Sequence, residues 1–181
     1  MSARERIEGA AASGRGHSHP WWRRLLATLA PTSPDVGERL VRHYAAEVGL
    51  TRDLAQGAAS LEWYPHQRAR ILDLVEGARA RADRVRRALE GLGVPATEPA
   101  TSTGPSGASP FELLRAGPSA LSSRDEEYLA DAHALEREHP RIADLLYDLH
   151  RDTAGDLREL IWTLAQVTGS VARVPPEGVA A

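Results

Sequence analysis

The stretch from His66 to Gly93 constrains this chain more than any other. Ile71, Leu74, Val75, Ala78, Ala82, Val85, Leu89 and Leu92 recur at steps of three and four, the repeat that lines side chains along one stripe of an α-helix. Arg81 falls on the same stripe, so a permanent positive charge lies among inward-facing apolar positions. A stripe of this kind has to be buried against other elements. Leu and Ala dominate the chain, aromatic residues make up 5% of it and Phe occurs once, which is a helix former's palette and not a strand former's. The expectation is an all-α fold.

Taken in order, residues 1–32 read as an N-terminal tail. Met1 to Pro20 is polar and glycine-bearing, and His17 and His19 within it read as solvated. Trp21 to Ala30 differs. Trp22, Leu25, Leu26 and Leu29 follow helical spacing, with Trp21 beside Trp22 and Arg23 and Arg24 next to them, so a short amphipathic helix is expected. Two roles remain open for it: a cover folded back on the bundle, or an anchor for a protein partner or a membrane surface through Trp21, Trp22, Leu25, Leu26 and Leu29.

Ser33-Pro34-Asp35 reads as the cap and first turn of a first helix, with Val36, Leu40, Tyr44, Glu47, Thr51, Leu54 and Ala58 on its seam. Gly57 and Trp63-Tyr64-Pro65 mark its end and the turn into the second helix. Residues 94–121 are rich in Pro, Thr, Ser and Gly and read as a long crossover linker, with at most one helical turn at Phe111–Arg115. Ser123-Arg124-Asp125-Glu126 matches a capping box, so a third helix is expected from there, with Tyr128, Ala132 and Leu135 inward. Pro140 opens a fourth helix carrying Ile142, Leu145, Leu146, Leu149, Thr153, Leu157, Leu160, Leu164 and Val167, stopped by Gly169. The domain layout is then 1–32 tail, 33–168 bundle and 169–181 C-terminal tail.

Composition narrows the function. A net charge of −3 gives no general attraction to nucleic acid. Acids such as Asp73, Glu76 and Asp83 break up the arginines of the second helix, which read as a salt-bridged, solvated face. With 0 cysteines there is no thiolate metal site, disulfide or thiol nucleophile. No apolar run reaches the roughly 20 residues that span a bilayer, and the N-terminus has no signal-peptide core, so a cytoplasmic protein is expected, with peripheral membrane contact as the further option. No phosphate loop, dinucleotide glycine motif or G-x-S-x-G appears.

Tyr44-x-x-Glu47, the lead-in Trp63-Tyr64-Pro65-His66 to the second helix and His139-Pro140-Arg141-Ile142 to the fourth resemble bacterial ferritin-like and rubrerythrin-like domains over residues 33–167. The resemblance implies an antiparallel four-helix bundle with a long crossover between helices 2 and 3. It also implies a di-iron site built from an inward Glu on each of two helices and Glu-x-x-His on the other two. Glu47 matches the first carboxylate, and Asp125 or Glu126 the third-helix one. The Glu-x-x-His positions fall on Ala78 and Arg81 and on Thr153 and Asp156, so the ligand set is broken on both helices. No metal or other cofactor is therefore expected. His43-x-x-x-Glu47 has a hemerythrin-like spacing, but an exposed helix histidine explains it better.

Glu47 buried alone would cost several kcal/mol or take up a proton. Arg81 and Asp156 fall at matching depth on neighbouring helices, so a Glu47–Arg81–Asp156 cluster is expected to replace the metal as the bundle's polar centre; in the competing arrangement Arg81 reaches out to solvent. The expected function is that of a non-catalytic structural or adaptor subunit with protein partners. The alternatives are a cryptic metal-dependent oxidase using Glu47 and a peripheral membrane protein held by Trp21–Leu29.

Overall fold

The computed structural model describes residues 34–97 and 107–171. The Trp21–Leu29 segment and the Ser33 cap lie outside the described residues. Four long helices account for most of the rest: α1 (Pro34–Ala58), α2 (Pro65–Gly91), α3 (Pro110–Leu135) and α4 (Pro140–Val171). No strand occurs among the described residues, so the fold is all-α.

Each helix boundary has a local cause. After α1 the chain tightens into a 3-10 turn at Ala59–Leu61, and the Tyr64 N–H donates to the Leu61 carbonyl at 3.0 Å. Pro65 then occupies a first-turn position of α2, where a missing N–H costs nothing. At the far end of α2 Gly93 adopts φ +71, the left-handed region that suits glycine. The Val94 N–H reaches the Leu89 carbonyl at 3.0 Å and the Gly93 N–H the Glu90 carbonyl at 3.1 Å, a Schellman closure that satisfies the last carbonyls of α2.

The start of α3 corrects the sequence reading. The helix begins at Pro110, not at Ser123, so Phe111–Arg115 is its first turn and the 94–121 linker is cut short. Its capping box is Ser109 and Glu112: the Glu112 N–H donates to Ser109 Oγ at 3.3 Å, and the Ser109 N–H to Glu112 Oε2 at 2.7 Å. Leu113, Leu114 and Leu121 are buried on this added half, and that burial outweighs the local Gly117-Pro118 signal for a turn. Gly169 does not stop α4, which runs on to Val171, whereas Gly57 falls one residue before α1 ends at Ala58, as expected. A Cβ at Gly57 would fall 2.5 Å from Leu114 Cγ and 3.1 Å from the Pro110 carbonyl. Gly57 is there for the close approach of α1 and α3.

α1 packs on α2 and α3, and α4 on α3 and α2. Two apolar clusters form the core. One gathers Val36, Leu40, Val85, Leu89, Ala132, Leu146 and Leu149; the other gathers Leu54, Leu61, Ile71, Leu74, Leu114, Leu121 and Leu160. On α1 the first cluster ends at Tyr44 and the second starts at Leu50, while on α2 they meet between Ala78 and Ala82. The polar side chains expected at the centre fall in that gap. Outside, Arg70 pairs with Glu159 and lays its guanidinium 4.1 Å from the centre of the Trp162 ring. Three further arginines of α2 are paired with acids: Arg79 with Glu76, Arg84 with Asp148 and Asp152, and Arg86 with Asp83 and Glu90.

Candidate functional site

Between the two apolar clusters lies a layer of buried polar side chains. Arg81, one position before Ala82 on the α2 stripe, is 2% exposed and Glu47 on α1 is 0% exposed. Arg81 Nε donates to Glu47 Oε2 at 3.1 Å, and Arg81 Nη1 to Asp156 Oδ2 on α4 at 2.5 Å. The structure thus brings together Glu47, Arg81 and Asp156, and the alternative in which Arg81 reaches solvent is excluded by its burial. Gly77, one turn before Arg81, makes room: a Cβ there would lie 3.2 Å from Asp156 Oδ2.

The fourth member is Tyr128 on α3, whose hydroxyl donates to Glu47 Oε1 at 2.7 Å. Its inward position was expected, its part in the polar layer was not. Asp125 and Glu126, the expected α3 carboxylates, do not reach Glu47: Asp125 pairs with His150 at 2.7 Å and Glu126 is exposed. Both Glu47 oxygens therefore have a donor, as a buried carboxylate requires.

Beyond the Tyr128 ring is a second group that the sequence reading missed. His43 on α1 was expected to be exposed, but it is 1% exposed, with its ring centre 4.6 Å from that of Tyr128. A helix stripe is broad enough to take His43 inward together with Tyr44. His43 Nε2 lies 2.8 Å from Asp131 Oδ2 on α3. The other Asp131 oxygen accepts from Arg39 Nη1, and Arg42 Nη2 lies 4.0 Å from Oδ2. The available signal was Asp131 itself, three residues after Tyr128 and next to Ala132 on the inward side of α3.

The charges follow from these surroundings. Burial pushes the Glu47 carboxyl above the usual carboxylate range, while Arg81 and the Tyr128 hydroxyl pull it back. Burial also opposes the Arg81 charge, but Glu47 and Asp156 outweigh it and hold the guanidinium's pKa above its ordinary value. The Tyr128 hydroxyl is driven well above a normal tyrosine, first by burial and then by the Glu47 charge. Burial lowers His43, and Asp131 only partly offsets that.

The donor set does not fit a di-iron centre. Ala78 offers no ligand atom, and the Arg81 guanidinium holds the carboxylates that would face the metal. Thr153, on the remaining expected ligand position, is fully buried, and its hydroxyl has no hydrogen-bond partner among the described residues. Nor does any group of three or more His, Asp and Glu among those residues gather as a metal-binding set. No described helix is long and apolar enough to cross a membrane. Compared with protein families, characterised proteins and solved structures, the chain matches none.

Proposed function

We propose that this chain is a ferritin-like four-helix bundle whose metal centre is replaced by a buried ion-pair layer, and that it serves as a structural or adaptor subunit in a larger protein assembly. The observation that carries the reading is the Arg81 guanidinium shared by Glu47 and Asp156 at the level where two helices of a di-iron bundle would present ligands. A guanidinium cannot leave the site by deprotonation, so the layer keeps one fixed cation.

The helix order supports the architectural part. Gly37 faces Val94 and Glu47 faces Arg81, so α1 and α2 run in opposite senses. Gly57 with Leu114 and His43 with Asp131 give the same relation for α1 and α3. Arg84 with Asp152 and Gln67 with Gln166 give it for α2 and α4. α2 and α3 then run in the same direction, which is the arrangement the proposed crossover calls for. Residues 92–109, at about 3.3 Å each, are long enough to span a 26-residue helix rising about 1.5 Å per residue.

The exposed side chains of Trp63, Ile161 and Trp162 favour a partner-binding role over a solitary one. The test is metal analysis and sizing of the protein isolated natively from its source. A metal-free chain in an assembly well above its own 19.6 kDa is expected. Stoichiometric iron would overturn the metal-free part, and a native monomer the adaptor part.

A further inference from the structure

The His43 group plays no part in the ion-pair layer, and its chemistry points elsewhere. His43 Nε2 faces a carboxylate oxygen of Asp131 at 2.8 Å, so in the neutral ring the proton is on Nε2 and the Nδ1 lone pair is left over. Nδ1 is buried with no hydrogen-bond partner among the described residues. Protonation would put an N–H there with no acceptor, which a buried site tolerates poorly. The surrounding charges do not compensate. Asp131 favours the imidazolium, but its other oxygen is held by Arg39, and Arg42 is 4.0 Å from the oxygen His43 uses. Arg124 on α3 opposes a second positive charge, while Glu127 favours it and is itself paired with Arg124 at 2.9 Å. Tyr128 presents its ring, with its hydroxyl committed to Glu47. Beyond it, the Arg81 contacts of α2 run to Glu47 and to Asp156 of α4.

We infer that His43 and Asp131 form an acid-sensitive clasp between the first half of α1 and the last half of α3. The clasp is closed while the imidazole is neutral and opens when it takes up a proton. Opening loosens the apolar cluster beside it, to which Val36, Leu40, Tyr44, Ala132 and Leu135 belong. The sign follows from linkage: the open state binds the proton and the closed state resists it, so falling pH favours opening. An exposed histidine titrates near 6.5, so each pH unit below that value makes opening up to about tenfold easier, until the closed form itself protonates.

Amide hydrogen exchange of the full chain tests this, corrected for the intrinsic pH dependence of the chemical step. From pH 7.5 to 5.5, protection across residues 36–47 should fall by up to about tenfold in the parent, and by less than about twofold in His43→Gln. The glutamine keeps an N–H donor near the Nε2 position and cannot charge. An equal fall in both proteins, or none in the parent, overturns the proposal. Should His43→Gln fail to fold, the His43 ring resonances of the parent decide. A ring that stays neutral below pH 6 while these amides lose protection supports the clasp, and a ring titrating near 6.5 in the closed protein overturns it.

Discussion

Arg81 shows how a charge can belong to a core. Its guanidinium has two carboxylates within 3.1 Å, and the deeper one is also held by Tyr128. A buried arrangement of this kind does not have to be more stable than an apolar one, but losing one partner leaves the other uncompensated. Arg81→Met is therefore expected to destabilise the protein by about 3–5 kcal/mol in urea, with Glu47→Gln in the same chain recovering part of that loss. The pH dependence gives a second check. Glu47 has a raised pKa when folded, so its contribution is fully present below the ordinary value of 4.5 and is lost as pH rises through the folded value. Removing Arg81 takes away the strongest pull in the other direction. The stability gap between parent and Arg81→Met should thus widen from pH 4.5 towards neutrality, and a gap that stays constant would mean Glu47 does not feel Arg81.

At the scale of elements, α3 marks the boundary between what was legible in the residues and what was not. The stripes of α1, α2 and α4 could be read because one periodicity runs through each. The first half of α3 is interrupted by Gly117, Pro118 and Ser119, and what makes it helical is remote: Leu114 against Gly57 of α1, and Gly117 against Leu160 of α4. The site divides in the same way. Glu47, Arg81 and Asp156 could be matched because each falls at the same depth on a recognised stripe. His43 and Asp131 lie at stripe edges, where spacing does not separate inward from outward. The start of α3 is open to test. Ser109→Ala removes the side-chain acceptor of the Glu112 N–H and should cost about 1 kcal/mol in thermal or urea unfolding, whereas Ser123→Ala, at an exposed position inside the helix, should cost little. The reverse order would restore the later start.

For the molecule as a whole, the polar layer parts the core into two apolar clusters. Ile71 belongs to one and Val85 to the other, about 21 Å apart along α2. Ile71→Val should cost about 0.5–1.5 kcal/mol and Val85→Ala about 1–3 kcal/mol. The double variant should match their sum within about 0.5 kcal/mol, and a coupling above about 1 kcal/mol would mean that the layer transmits packing from one cluster to the other. The Arg70 cation above the Trp162 ring has a practical consequence. That indole is held against α2 by a partner that leaves if α2 and α4 separate, whereas Trp63, 88% exposed in the α1–α2 turn, already lies in water. With the other tryptophans replaced by phenylalanine, the emission of Trp162 becomes an optical gauge of the spacing between two helices, read without adding a dye.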